Sequence, residues 1–286
     1  MMRMSNSPEN KTRMKITPKK IYAKLIDGTI LQRIDHYIFY NYRLKQIIRK
    51  GKILVGKLSA GAEVKVLNGV FKDLRYPSLE ITESALVPKI IGSYEYQLQP
   101  WFNRIIKRDF TDIIDVGSAE GYYAVGLATR MPGTTIHCFD INEKDILFSK
   151  QMANVNNVRN MTWNTFCDEK TLLNFPYRGK TLIICDCEGY EIELLTPSVI
   201  EKCKQTDFLI EMHNVVNPVI SGELFSRFQF THTFTVVNNK DVDYPLLQGL
   251  QNFTETEKEF ALCEHRGGLY KNIYMEWAYF TPKVPL

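Results

Sequence analysis

The sequence lacks an apolar run of the length that a membrane-spanning helix needs, about 18 residues, which argues against an integral membrane protein. Its first eight residues, Met-Met-Arg-Met-Ser-Asn-Ser-Pro, also lack the apolar stretch of a secretory signal. The six cysteines form no even framework, and Cys185 and Cys187 have the wrong spacing for a zinc knuckle or a C-x-x-C redox pair. These absences predict a protein of the reducing cytoplasm.

The sequence also lacks a strong excess of charge. Its 36 basic and 32 acidic side chains leave a net charge of +4. A good part of that charge lies near the start of the chain, at Arg3, Lys11, Arg13, Lys15, Lys19 and Lys20. Without this segment the chain is close to neutral, so charge gives no reason to expect a nucleic-acid partner. We expect residues 1–17 to be a disordered basic tail.

Residues 18–108 are predicted to form an N-terminal extension of helices and a β-hairpin. Apolar residues recur at helical steps over 18–50, with an interruption expected at Gly28. This helix could cover the core, pair with a second copy in a homodimer, lie on a membrane surface or anchor a protein partner. Residues 53–76 alternate in polarity and turn on glycines, which predicts the hairpin, and 85–108 again show a helical pattern.

Residues 109–286 alternate between strand and helix patterns. Strands are predicted at 112–116, 134–140, 161–166, 180–186, 206–213, 231–237 and 273–281. Helices are predicted near 121–131, 143–156, 189–203, 217–229 and 255–263. Such alternation predicts an α/β fold, in which helices cover both faces of a parallel sheet.

A glycine-containing turn follows the first predicted strand of this region. Gly117 and Gly121 leave no side chain where a ligand must approach the backbone, and Asp140 ends the next strand, where its carboxylate can accept both hydroxyls of a ribose. The G-x-G-x-x-G pattern of dinucleotide sites is absent, because Tyr122 stands in place of the third glycine. Glu120 adds a carboxylate that would repel a pyrophosphate. The turn therefore predicts a nucleoside ligand other than a dinucleotide.

S-adenosylmethionine, which carries a sulfonium and an ammonium, fits this turn better than NAD does. The run from Asp115 to Gly121 resembles the first motif of class I S-adenosylmethionine-dependent methyltransferases, E/D-x-G-x-G/A-x-G. A dinucleotide site and a turn that binds no ligand are the alternatives.

A second motif begins at Asp186 and reads D-x-E-G-x-E-x-x-L-L through Leu195. It resembles the signature after the fourth strand of FkbM-type methyltransferases, usually D-V-E-G-x-E-x-x-V-L, and Cys187 departs from it where members often carry Val. The strand 207–213 is similar to that family's L-x-E-x-H-type strand end. The likeness covers about residues 65–281. It implies a Rossmann-like class I methyltransferase fold with a seven-stranded, mostly parallel sheet, and a catalytic domain at 109–286.

The resemblance also implies the residues that hold the cofactor. The glycine turn would line its methionine part, with Asp115 beside the ammonium group, while Asp140 holds the ribose and Asp168 meets the adenine amino group. The complete implied set is Tyr94, Asp115, Gly117, Ser118, Ala119, Gly121, Asp140, Ile141, Asn142, Asp168 and Asp186.

Asp186 and His213 end neighbouring predicted strands, at the edge where ligands bind in such sheets. His213 is a candidate general base, because its unperturbed pKa lies near the working pH. Glu211 shares its strand face, so Asp186, Glu211 and His213 could instead ligate Mg²⁺, which would orient a vicinal diol or catechol.

Together these features predict an S-adenosylmethionine-dependent O-methyltransferase that acts on a small hydroxylated molecule, a sugar or a specialised metabolite. Residues 18–108 would then close over the cofactor as a cap and supply part of the acceptor pocket. Two alternatives stay open: a NAD-dependent oxidoreductase on a similar fold, and a nucleoside-binding scaffold without catalytic activity.

Overall fold

One sheet of seven strands organises the protein, in the order β3-β2-β1-β4-β5-β7-β6. The computed structural model describes residues 28–79, 85–240, 242–264 and 275–283. The strands are β1 (Asp112–Val116), β2 (Thr135–Phe139), β3 (Met161–Asn164), β4 (Thr181–Cys185), β5 (Asp207–Met212), β6 (His232–Asn238) and β7 (Glu276–Pro282).

The helices of the described residues precede and connect these strands. They are α1 (Gly28–Ser59), α2 (Leu86–Ile91), α3 (Gln99–Ile105), α4 (Tyr122–Arg130), α5 (Glu143–Val155), α6 (Glu169–Asn174), α7 (Glu191–Leu194), α8 (Pro197–Lys202), α9 (Ile220–Phe228) and α10 (Glu255–Leu262), with short 3-10 helices at Tyr96–Leu98 and Leu250–Asn252. The chain divides into two units, one ending at Gln46 and one beginning at Ile47, and the whole sheet belongs to the second.

Strands β1 to β5 run parallel, and β7 lies antiparallel between β5 and β6. Every residue of β1, β4 and β5 is buried, as expected for parallel strands covered by helices on both faces. The predicted fold is confirmed: this is a Rossmann-like sheet with the strand order and the single antiparallel strand of class I methyltransferases.

Two apolar cores lie on opposite faces of the sheet. Successive residues of a strand point to opposite faces, so Ile113 belongs to one core and Ile114 to the other. The first core joins residues before β1, such as Phe71 and Phe102, to helix α4, whereas the second is rich in aromatic rings around Phe228. Residues 47–108 therefore contribute directly to the core beneath the sheet.

The first half of the predicted hairpin at 53–76 is wrong, because α1 continues to Ser59. Consecutive residues Leu54 and Val55 are both fully buried, which a helix face permits and an alternating strand with one exposed face does not. Gly56 does not end the helix. Only the second half resembles a hairpin, through an antiparallel bridge between Lys65 and Arg75.

The predicted helix at 189–203 is two helices, α7 and α8. Pro197 has no backbone N–H and disfavours helical geometry at the residue before it, and Thr196 is extended, with φ −65° and ψ 161°. The Thr196 hydroxyl then caps α8 by accepting a hydrogen bond from the Val199 N–H. The Thr-Pro pair was a readable signal for this break.

The other predicted elements of residues 85–283 occur within a few residues of their expected bounds, and the helical stretch 85–108 is interrupted after α2 at Gly92. In the N-terminal region, residues 1–17 and 18–27 lie outside the described residues. The described part of the predicted 18–50 helix begins at Gly28 and runs without a break. No described helix combines the length and the apolar character needed to cross a membrane.

Candidate active site

The turn after β1 is shaped by positions that only glycine fits. Gly117 has φ +82°, and a Cβ there would overlap the backbone carbonyl oxygen of Asp186, so the ends of β1 and β4 meet backbone to backbone. Gly121 has φ +94°, and its Cβ would lie 2.6 Å from the hydroxyl oxygen of Ser149. Ala119 between them also has a positive φ, of 44°. The turn is therefore a narrow cradle at the carboxyl edge of the sheet.

Asp140 ties this cradle to the neighbouring strand. One carboxylate oxygen accepts a hydrogen bond from the Ala119 N–H at 2.7 Å, and the other accepts one from the Asn142 N–H at 2.7 Å. Each oxygen keeps a second lone pair, so the half-buried carboxylate can still accept ribose hydroxyls. Ile141 is 80% exposed beside it, while the Asn142 side chain caps α5 by accepting from the Lys144 N–H at 3.1 Å.

Asp115 is the most unusual group of the cradle. It is only 1% exposed, and its Oδ2 atom has no hydrogen-bond partner among the described residues. Burial, together with the negative charges of Asp186 and Asp140, raises its pKa to about 8. A buried carboxyl with an open acceptor beside a glycine cradle fits the ammonium end of S-adenosylmethionine.

The other predicted cofactor residues lie on the same edge or next to it. Ser118 is buried, and its N–H donates to the Phe139 carbonyl at 3.1 Å. Asp168 caps α6 and accepts hydrogen bonds from the Thr171 N–H and hydroxyl at 2.8 and 2.7 Å, so a contact with adenine would use its remaining acceptors. Tyr94 is half-buried and packs edge-to-face on the ring of Tyr122 at 5.6 Å.

The ends of β4 and β5 bring Asp186, Glu211 and His213 together, as the sequence predicted. One ligand atom from each lies within 4.8 Å of the others. The Nε2 atom of His213 is 3.3 Å from Glu211 Oε2, 3.5 Å from Asp186 Oδ1 and 3.4 Å from Glu188 Oε2. Its Nδ1 atom donates to Glu191 Oε1 at 2.6 Å. We call these five residues the carboxylate–imidazole cluster.

Burial, hydrogen bonds and neighbouring charges shift the pKa values of this cluster. Burial alone lowers the pKa of His213, but the Glu191 hydrogen bond and the charge of Asp186 outweigh it, so the pKa lies above 6.5. Burial and the charge of Asp186 raise the pKa of Glu211 well above its ordinary value. Glu211 and His213 therefore both hold their protons more tightly than usual. His213 must give up a proton before it can act as a general base.

Sequence reasoning missed the role of Glu191. The motif alone assigned no contact to Glu191, whereas the structure places it, 0% exposed, directly behind His213. The pairing joins residues 22 positions apart, and the only signal was the motif that contains Glu191.

The interpretation of Glu120 was also incomplete. Its Oε1 lies 2.6 Å from Lys89 Nζ, and both side chains are almost fully buried. The ion pair balances the negative charge that was expected to repel a pyrophosphate. A lone lysine within the apolar stretch Leu86–Ile91 was the available signal.

No family model matches the chain, and no curated protein matches it in sequence. Solved structures of methyltransferases do resemble it. A precorrin-6y C5,15-methyltransferase from Geobacter metallireducens GS-15 is 12% identical with a TM-score of 0.43, covering 64% of this chain and 89% of that one. An rRNA methylase from Streptococcus thermophilus is 10% identical with a TM-score of 0.42, covering 64% and 95%. A Pyrococcus abyssi tRNA (uracil-54, C5)-methyltransferase in complex with S-adenosyl-L-homocysteine is 13% identical with a TM-score of 0.38, covering 65% and 38%.

Likenesses this distant carry no argument about activity. The fold rests on the strand order, and the FkbM resemblance stays a prediction.

Proposed function

We propose that this protein is an S-adenosylmethionine-dependent O-methyltransferase that acts on a small hydroxylated molecule, a sugar or a specialised metabolite. The observation that carries the proposal is the cradle after β1, where the open, buried carboxyl oxygen of Asp115 lies beside Gly117 and Gly121. Asp140, at the end of the neighbouring strand, is half-buried and keeps free acceptor capacity for a ribose.

In this proposal the cradle holds the methionine part of the cofactor and Asp115 pairs with its ammonium group. Ser118 and Ala119 belong to that cradle, and Tyr94 would cover the cofactor from the N-terminal segment. The nucleoside would meet the rest of the predicted set: Asp140, Ile141, Asn142 and Asp168. The exposed Ile141 side chain offers an apolar surface for the adenine ring.

When bound, S-adenosylmethionine supplies a methyl group that its sulfonium already activates. The protein then has to align the acceptor oxygen and deal with its proton. Asp186 and His213 are proposed to do this as base or as orienting groups, because they lie side by side at the same sheet edge, 3.5 Å apart. A divalent cation such as Mg²⁺ held by Asp186, Glu211 and His213 is the alternative to direct proton transfer.

The same proposal includes membership of the FkbM type, a cytoplasmic location and an acceptor other than nucleic acid. It also includes a homodimer formed through 18–50 and the role of 18–108 as a cap. They rest on the sequence.

A NAD-dependent oxidoreductase is the second candidate, and one observation favours it. Because Lys89 neutralises Glu120, that carboxylate no longer excludes a pyrophosphate from the turn. The antiparallel insertion of β7 and the buried Tyr122 at the third-glycine position favour the methyltransferase.

Isothermal titration calorimetry with S-adenosylhomocysteine and, separately, with NADH tests the proposal. We expect S-adenosylhomocysteine to bind and NADH not to bind. Asp140→Asn should weaken that binding by about tenfold or more, because one charged acceptor is lost. Asp109→Asn, an exposed carboxylate paired with Lys180, is the matched control and should bind like the unmodified chain. Binding of NADH without binding of S-adenosylhomocysteine would refute the methyltransferase and support the oxidoreductase.

A further inference from the structure

The carboxylate–imidazole cluster surrounds one point with several potential ligand atoms. His213 is 3% exposed and Glu211 is 1% exposed, so the cluster is not a solvated acidic surface. A buried imidazole nitrogen points at oxygens from two strand ends and from the loop that follows β4.

The distances from His213 Nε2 to the carboxylates of this cluster fit those between ligands of one ion. Charge-assisted N–H···O bonds are about 2.7–2.9 Å long, whereas His213 Nε2 lies 3.3–3.5 Å from its three carboxylate oxygens. Two ligand atoms that are each about 2.1 Å from a common ion, at a tetrahedral angle, lie about 3.4 Å from each other. The separations from Nε2 are therefore compatible with neighbouring ligands of one ion, which would replace the hydrogen bond that Glu211 and Asp186 share.

Glu191 lies behind the histidine of this cluster. Its buried carboxylate accepts the Nδ1–H of His213 at 2.6 Å, so Nε2 faces the other carboxylates and becomes a ligand atom when a metal displaces its proton. A carboxylate behind a histidine in this way is the usual support of a metal-binding imidazole. The glutamate is itself held, since its Oε1 also accepts from the Gly189 N–H at 3.1 Å.

We propose that Asp186, Glu211 and His213 bind one divalent transition-metal ion of the Mn²⁺, Fe²⁺ or Zn²⁺ class, with Glu191 as the positioning residue behind the histidine. Imidazole suits Fe²⁺ and Zn²⁺, and the two carboxylates suit Mn²⁺, whereas Mg²⁺ demands near-ideal octahedral oxygen coordination and keeps its waters. Exposed Glu188 lies at the open side of the site and can add a fourth ligand.

The proposal deepens the proposed function by naming an acceptor class. An ion at the ends of β4 and β5 would be coordinated best by an acceptor with two adjacent oxygens, such as a vicinal diol or a catechol. This acceptor assignment rests on the proposed methyl transfer, whereas the metal site does not.

Metal binding can be measured without any activity. The full chain, stripped with EDTA, is titrated with MnCl₂ while the electron paramagnetic resonance signal of free Mn²⁺ is followed, and MgCl₂ is titrated in parallel by calorimetry. We expect one Mn²⁺ per chain, held about tenfold or more tightly than Mg²⁺. Glu211→Gln and His213→Gln should weaken Mn²⁺ binding by about 100-fold, and Glu191→Gln by about 10- to 100-fold.

Glu255→Gln is the matched control, because this exposed carboxylate on α10 pairs with Lys258 of the same helix. Its Mn²⁺ affinity should not change. Thermal unfolding and S-adenosylhomocysteine titration of each variant confirm that the fold and the cradle persist.

Absence of stoichiometric Mn²⁺ binding, or equal binding by the two ligand variants and the unmodified chain, overturns the metal site. Equal affinity for Mg²⁺ and Mn²⁺ contradicts the assignment of the His213 imidazole as a ligand. If Mn²⁺ fails to bind while S-adenosylhomocysteine binds, the metal inference alone is wrong. If Mn²⁺ binds and S-adenosylhomocysteine does not, the proposed function is wrong and the metal site stands.

Discussion

Replacing Asp115 by Asn should stabilise the cofactor-free protein and weaken cofactor binding. Asp115 is buried next to two other carboxylates, and its pKa is raised to about 8. Folding therefore opposes its ionisation, and an uncharged amide of the same size removes that opposition. The ammonium group of the cofactor would lose its charged partner in the same substitution.

The magnitude follows from the pKa. Because the folded-state pKa lies above the unfolded-state value of 3.8, the folded protein binds the proton more tightly. The free energy of unfolding then falls as pH rises from about 4 to about 8, by roughly 6 kcal/mol in total. Asn does not titrate, so the stability advantage of Asp115→Asn should grow by roughly 4 kcal/mol between about pH 5 and about pH 8.

Guanidinium unfolding of both proteins across this pH range, without cofactor, measures the effect. Titratable groups that both proteins contain contribute equally to both free energies of unfolding, so their contributions cancel in the difference between the two proteins. Asp109→Asn is the control. The hydrogen bond from Lys180 lowers the pKa of the exposed Asp109 carboxyl, so the difference in the free energy of unfolding between Asp109→Asn and the unmodified protein should not change over this pH range. Calorimetry with S-adenosylhomocysteine should show about tenfold or more weaker binding by Asp115→Asn, the loss expected for one hydrogen bond to a charged group.

Parallel stability curves for Asp115→Asn and the unmodified protein would refute the reasoning, because they would mean that Asp115 is ionised at no cost in the folded state. Unchanged S-adenosylhomocysteine affinity would contradict its role beside the ammonium group.

Three further substitutions test the packing around the site by chemical unfolding. Gly117→Ala should cost about 3 kcal/mol or more, because the new Cβ overlaps a backbone oxygen at a positive φ, whereas Gly222→Ala in α9 meets no described atom within 4 Å and should stabilise by up to about 1 kcal/mol. Equal stabilities of these two variants would contradict the steric argument. Lys89→Met removes the cation 2.6 Å from buried Glu120 and should cost about 3–5 kcal/mol, with at least half recovered by adding Glu120→Leu. No recovery in the double variant would show that the ion pair is not the cause. Phe71→Ala should cost about 3–5 kcal/mol, since the ring is 2% exposed in the first core, and a loss below about 1 kcal/mol would place the ring outside that core.

The sheet was predictable because its central strands are buried on both faces. Burial on both sides requires continuous apolar runs, and β1 and β4 show them in the sequence as Ile113-Ile114 and Leu182-Ile183-Ile184. The carboxyl ends of parallel strands meet at one edge, which is why Asp186 and His213 could be placed together from the sequence alone.

The partners of the charged residues were not predictable in this way. Lys89 and Glu120 are 31 residues apart, and their contact depends on how α2 packs against the turn after β1. Glu191, the first residue of α7, meets His213, which directly follows β5. The pattern of apolar residues within one helix or strand shows which face of it is buried. The Lys89–Glu120 and Glu191–His213 contacts depend instead on how different elements pack against each other.

The position of β7 imposes an order on the assembly of the sheet. Among the described residues, β6 pairs only with β7, which follows it in the chain and must enter between β5 and β6. During synthesis the parallel strands can associate while β6 still has no neighbour. The backbone N–H and C=O groups on the β7 side of β6 then stay without their strand partner until β7 emerges from the ribosome, so slow translation of residues 239–282 would favour aggregation over folding.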